Sequence, residues 1–241
     1  MASRTIENYL KQLYLEQEAV PGEVAMGRLA TIMSVVPGTA TAMVKALADA
    51  RLVHYSPRAG VRLTEAGKQL ALHVLRRHRL VELLLVKVLG LDWSEVHEEA
   101  EELEHVISDK LLDRIDALLG YPEVDPHGDP IPTAGGGVQA VSAETLVSCP
   151  LGIRVRIARV LDQEPRFLQF VEASGLVPGA RVEVAERDAQ ADAVRVVLAR
   201  GGEQTLSTAA AGKFQVRAEG AESMEAPAGA SLAEEAPAHH F

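Results

Sequence analysis

The 241 residues contain a single cysteine, Cys149, and aromatic side chains make up only 4% of the chain. One thiol excludes an intramolecular disulfide framework and any zinc site built wholly from cysteines. No motif surrounds Cys149, so it reads as a small structural thiol. No run approaches the roughly eighteen consecutive apolar residues a bilayer-spanning helix needs. No charged-then-apolar leader opens the sequence, and the expectation is a cytoplasmic protein without a membrane partner. A Ser, Cys or Lys nucleophile in a catalytic setting is missing, as is a His-Glu-x-x-His run. What the chain does hold is a 47% hydrophobic composition, enough for real cores in one to three domains.

Its net charge of −10 is unevenly spread. Residues 1–79 carry 11 Lys and Arg against 6 Asp and Glu, residues 80–125 carry 3 against 13, and residues 126–241 carry 10 against 15. A basic front and a strongly acidic middle suit a protein that touches a polyanion with one part and a cation with the next.

"TIENYLKQLYLEQEA" spaces Ile6, Leu10, Leu13 and Tyr14 as one helix face. "VAMGRLATIM" predicts a short second helix, and Pro37 and Gly38 punctuate the entry to a third. "LVHYSPRAGVRLT" alternates around a turn, as a hairpin does. This order is that of a winged helix-turn-helix. Two long helices are expected next, one ended by Gly90 and one running unbroken from Asp92 to Gly120. A Pro/Gly-rich linker with one ordered elbow follows, then short alternating strands spaced as in a small β-barrel, with "PRFLQFVEASG" as a helical insert. The fold is therefore mainly α with small β parts. Domains are expected at 1–72, 73–140 and 141–217, with a disordered tail at 218–241.

Within "VHEEAEELEHVISD", residues 96–109, a 100° helical projection puts His97, Glu101, Glu104 and His105 on one stripe. An acidic run alone is usually a solvated face, but two imidazoles interleaved with carboxylates are costly to assemble unless a cation neutralises them. "LRRHRLVELLL" adds His78 and Glu82 at i, i+4 on the preceding helix. Helices joined antiparallel through Gly90 would let the two groups meet.

At this point the chain resembles the diphtheria-toxin-repressor family of metal-dependent transcriptional regulators, including its manganese-responsive branch. The likeness rests on "TIENYL", the helix-turn-helix, "RRHRLVE", "VHEEAEELEHVISD", "HGDPIP" and "GLVPGARVEV". It implies an N-terminal winged helix domain, a helical dimerisation and metal-binding domain, a C-terminal SH3-like domain, and a metal-activated homodimer on a DNA operator. By position, the resemblance puts a primary metal site on Asn8, Glu101, Glu104 and His105. It puts an ancillary site on His78, Glu82 and His97, completed by the C-terminal domain. The sequence departs there, because the family's ligand positions align near Gln163 and Arg166, and an arginine cannot ligate. Asp162 or Glu164 could substitute, or Asp125 and His127 from "DPHG". Lys11 stands where the two-manganese branch has a carboxylate.

Asn8 and Glu101 replace the thioether and thiol of iron-type members, so the primary set is hard and Mn²⁺ is favoured over Fe²⁺. DNA contacts are expected from Pro37, Thr39, Thr41 and Lys45 on the recognition helix, Arg28 on the helix before it, and Arg58 on the wing. "TATAM" lacks Arg, Asn and Gln, which predicts phosphate clamping, thymine-methyl contact and shape readout more than bidentate base reading. Two other readings are a metal-independent winged-helix regulator whose acidic helix only dimerises, and a metal-dependent hydrolase with Glu98 or Glu102 as base.

Overall fold

The computed structural model describes residues 3–140 and 143–219; past Glu219, the tail lies outside the described residues. Helix α1 (Arg4–Ala19) starts where the Ser3 hydroxyl accepts the Ile6 amide, and it buries Tyr9, Leu10 and Leu13. Helices α2 (Met26–Ile32) and α3 (Pro37–Asp49) meet at a 104° bend, within the range of a helix-turn-helix. Pro37 opens α3, where its missing N–H costs nothing. Strands β1 (Val53–Ser56) and β2 (Gly60–Leu63) pair antiparallel from Val53↔Leu63 to Ser56↔Gly60, leaving residues 57–59 as the wing tip. Leu10, Leu13, Leu29, Val44, Leu47 and Val61 close a core of their own, so this reading head is a packed unit.

Helix α4 (Glu65–Lys87) is capped by Thr64 and runs through the middle of the molecule. Its buried residues include Arg76, Arg77, His78, Arg79 and Glu82, an expensive set to desolvate without partners. The long helix expected over 92–120 is two helices, α5 (Val96–Leu103) and α6 (Asp109–Leu118). The break has a local cause: the Ser108 hydroxyl accepts the Leu111 amide and caps a new helix start. Gly90 (φ 72°) and Gly120 (φ 76°) follow α4 and α6 in the left-handed conformation.

Past α6, the elbow is a buried structure. Val124 and Pro130 form a bridge, and residues 125 and 127–132 are buried. The C-terminal domain holds β3 (Arg154–Val160), α7 (Pro165–Ser174), β4 (Arg181–Asp188), β5 (Ala193–Leu198), β6 (Glu203–Leu206), the short α8 (Thr208–Ala211) and β7 (Phe214–Ala218). The strands form one antiparallel sheet ordered β6-β5-β4-β3-β7. Its end strands are not neighbours, so among the described residues the sheet is open and not the closed barrel expected. Trp93, just before α5, packs into the core of this sheet and ties the two domains together.

Candidate metal centre

Glu7 and Lys11, one turn apart on α1, reach α5 and the two residues after it across the boundary between head and core. Glu7 Oε2 accepts a 2.6 Å hydrogen bond from His105 Nδ1. Lys11 Nζ donates to Glu101 Oε1 at 2.6 Å and to both oxygens of the fully buried Glu104 at 2.8 and 2.9 Å. Asn8 lies between them in sequence, and its Oδ1 is buried with no partner. His105 Nε2 is also buried without a hydrogen bond, although Glu104 Oε1 lies 3.1 Å away. Glu101, Glu104 and His105 can each present one donor atom within 4.8 Å of the others. Metal–ligand bonds of about 2.0–2.3 Å hold two donors no more than about 4.6 Å apart, so a small inward shift of these side chains would let one ion bind all three.

A second group surrounds α4. His78 Nδ1 donates to Glu104 Oε2 at 2.7 Å, and His78 Nε2 lies 3.0 Å from Glu82 Oε1 and 3.1 Å from His97 Nδ1. Burial alone would lower the His78 pKa, but the Glu82 charge and the bonds to Glu104 and Glu82 outweigh it and raise it to about 9. Burial would raise Glu82 and Glu104; their cationic and imidazole partners hold both below the usual carboxylate range. His78, His97 and Glu101 form one possible ligand triangle, and Glu82, Asp125 and His127 form another that is wholly buried. His127 Nε2 donates to the Trp93 carbonyl at 3.0 Å, which leaves Nδ1 as a buried, unpaired acceptor 3.8 Å from Glu82 and 3.9 Å from Asp125. Burial, with Asp129 and Glu82 nearby, pushes the Asp125 pKa well up. A cavity of about 240 Å³ opens among His78, Glu82, His97, Glu101, Asp125 and Gln163.

Seven buried side-chain polar atoms lack a hydrogen bond among the described residues. Three of them, Asn8 Oδ1, His105 Nε2 and His127 Nδ1, belong to residues singled out as ligands. Buried donors and acceptors are otherwise almost always satisfied. The residues present therefore fit a divalent cation.

The substitutes expected from the C-terminal domain lie elsewhere. Asp162 is paired with Lys213 at 2.6 Å, and Glu164 is exposed, its side chain capping α7 through the Phe167 amide. Gln163 does reach the cavity, donating to Asp129 Oδ2 at 2.6 Å, while Arg166 is exposed. Sequence reasoning missed Glu7, although its i, i+4 spacing to Lys11 puts both on one face of α1. It also missed the clamp in which Arg79 and Arg159 hold Asp129 across the domain boundary.

On the reading head, Pro37, Thr39, Lys45 and Arg58 are exposed. Thr41 is half-buried and its hydroxyl donates to the Pro37 carbonyl at 2.8 Å. Arg28 is exposed but doubly bonded to Glu16, at 2.8 and 2.9 Å, which opposes its use on a phosphate.

Comparison with known proteins agrees with this arrangement. Family models match at residues 1–61 (iron dependent repressor, N-terminal DNA binding domain), 64–133 (iron dependent repressor, metal binding and dimerisation domain) and 144–218 (FeoA domain). The chain is 34% identical over 193 residues to the iron-dependent repressor IdeR of Mycobacterium leprae, covering 75% of this chain and 83% of that one. It is 32% identical over 209 residues to the diphtheria toxin repressor of Corynebacterium glutamicum, covering 82% and 89%. A solved manganese-dependent transcriptional repressor in complex with manganese superposes with a TM-score of 0.80 at 39% identity, covering 88% and 99%. With a DNA-reading head, a dimerisation core and carboxylate–imidazole clusters at their junction, the chain belongs to the diphtheria-toxin-repressor family of metal-dependent, DNA-binding transcriptional repressors, which are not enzymes.

Proposed function

We propose that this repressor is activated by Mn²⁺ in preference to Fe²⁺ and grips a double-stranded operator as a homodimer. The observation that carries the reading is the α1–α5 junction, where Asn8, Glu101, Glu104 and His105 offer oxygen and nitrogen donors and no sulfur. Such a set suits hard divalent ions, with selectivity over Zn²⁺ left to geometry and availability. A bound cation would supply positive charge to Glu101 and Glu104 and a shared centre for donors on two domains. Everything else follows from the chain. Asn8 sits on the first helix of the reading head, so any ligand shared with Glu104 fixes the angle of α3 against the core. His78, Glu82, His97 and the buried pair Asp125 and His127 form the supporting second set.

An exposed face of α6 supports the dimer. Leu112 and Ile115 face inward, whereas Leu111 and Leu118, one heptad apart, are exposed. Pairing that face about a two-fold axis would put two α3 helices at a fixed separation, as a two-half-site operator requires. The test is selection of duplexes from a random pool with Mn²⁺, followed by retardation assays with Mn²⁺, Fe²⁺ or Zn²⁺ after chelation. Equal affinity in chelator and in Mn²⁺ would refute metal activation; stronger activation by Fe²⁺ than by Mn²⁺ at equal free concentration would refute the metal preference.

A further inference from the structure

Lys11 is among the most deeply buried charged groups of the molecule, with 2% of its surface exposed. A buried ammonium is tolerated only when its charge and its three N–H donors are matched. Here the match is made across a domain boundary. The stem rises from α1 in the reading head, and the three short contacts all end on core carboxylates, Glu101 of α5 and Glu104 just past its end. These are the oxygens of Glu101 and Glu104 that the proposed metal centre needs. The flanking α1 contacts run the same way: Glu7 holds His105, and Arg4 forks onto Glu102 at 2.5 and 2.9 Å. The Arg4 pair is exposed and screened; the Lys11 pair is dry.

We infer that Lys11 is a tethered cation built into the head–core junction: it latches α1 to Glu101 and Glu104 before metal arrives, and it competes with the incoming ion for the same oxygens. This rests on the metal-activated reading above. Two consequences follow. The head is already docked without metal, so metal tightens an existing contact instead of creating one. The metal concentration that triggers DNA binding is set high, because uptake must displace or share a contact that the chain already satisfies. The single positive charge also cancels one of the two carboxylate charges, so the junction attracts less cationic charge than Glu101 and Glu104 alone would.

The test compares wild type, Lys11→Met and Lys11→Arg. Met keeps the length and apolar stem without the charge, and Arg keeps the charge. Mn²⁺ binding is read by competition with a chelating dye, and melting temperature is read in EDTA. Lys11→Met should bind Mn²⁺ about tenfold more tightly while melting several degrees lower in EDTA; Lys11→Arg should stay nearer wild type in both. Unchanged Mn²⁺ affinity in Lys11→Met, or weaker binding, overturns the competition. Should Lys11→Met fail to fold, hydrogen exchange on the wild type decides. Amides of residues 4–19 and 96–104 protected equally in EDTA and in Mn²⁺ support the latch, and protection seen only with Mn²⁺ overturns it. If wild type binds Mn²⁺ while Lys11→Met is unchanged, only this assignment falls; if neither binds, the metal-activated reading falls with it.

Discussion

His78 Nδ1 and Glu104 Oε2 lie 2.7 Å apart, and this bond joins two ligand groups that the sequence resemblance assigns to separate sites. With the other nitrogen of the same ring against Glu82 and His97, a change in one group is felt by the other. His78→Ala should therefore reduce Mn²⁺-dependent thermal stabilisation more than His97→Ala, whose ring is half exposed and, among the described residues, has no hydrogen bond or ion pair to Glu104. Melting curves against free Mn²⁺ check it, since ligand linkage converts affinity into melting temperature. Equal losses in the two variants would mean the sites act independently.

The same ring makes the metal-free protein sensitive to alkali. Its folded pKa of about 9 lies above the unfolded value of about 6.5, so its contribution is fully present below pH 6.5. It is lost as pH rises through 9, and is on the order of 3 kcal/mol. Glu82 and Glu104, both depressed, contribute in the opposite sense and lose their share as pH falls below the ordinary carboxylate range. Denaturant titrations in EDTA should show stability falling between pH 6.5 and 9, and His78→Gln should flatten that slope. Because ligation must expel the same proton, Mn²⁺ affinity should rise over the same interval.

Much of this site was legible in the sequence because helical periodicity is local. His78 and Glu82 fall on one face of α4 by spacing alone, and His97 and Glu101 do so on α5. The break at 104–108 was not legible from the apolar pattern, which continues across it; its local signal is the helix cap Ser108 followed by Asp109. The C-terminal contribution could not be read from spacing, because it depends on how a loop and a sheet dock. Asp162, Gln163 and Glu164 are consecutive, yet one pairs with Lys213, one enters the cavity and one caps α7. The open sheet was equally hidden, since alternation identifies strands and not which edges meet.

The elbow gives a backbone test. Gly128 has φ 87°, and a Cβ there would strike the Ala158 carbonyl on β3. That close approach lets the Val160 amide bond the His127 carbonyl at 2.9 Å and seats His127 beside Glu82. Gly128→Ala should cost at least about 1–3 kcal/mol from the disfavoured backbone alone. It should also weaken Mn²⁺ binding more than an equally destabilising change such as Leu206→Ala in the sheet core. Equal effects on affinity would show that the elbow matters only for stability.

Metal preference is tested at Asn8 and Glu101. The double variant Asn8→Met, Glu101→Cys brings a thioether and a thiolate to the junction, and sulfur donors favour softer ions. Activation in the retardation assay should move from Mn²⁺ towards Fe²⁺ or Co²⁺, and an unchanged ranking would remove these residues from selectivity. Glu101 also accepts from Lys11, so the variant has a second effect that the metal ranking alone would not separate. Adding Lys11→Met controls for it, because the contribution of the sulfur pair should persist without the ammonium.

The last prediction concerns the DNA face, where electrostatics and readout can be told apart. Lys45 and Arg58 are exposed on α3 and at the wing tip, and neither makes an ion pair among the described residues. Their charges are free for phosphates, whereas Arg28 is engaged by Glu16. Lys45→Ala and Arg58→Ala should each weaken binding to specific and random duplexes alike. Each lost phosphate contact should also reduce the slope of log affinity against log salt by about one unit. Arg28→Ala should do much less, because its guanidinium must first leave Glu16, and Glu16→Gln should strengthen binding by freeing it. Thr39→Ala, which removes a methyl and a hydroxyl without changing charge, should leave the salt slope intact while relaxing discrimination at one position. Anisotropy titrations at several salt concentrations, in saturating Mn²⁺, measure all five. A Lys45 or Arg58 variant that loses discrimination at one base pair with an unchanged slope would move that residue from clamping the backbone to reading the base.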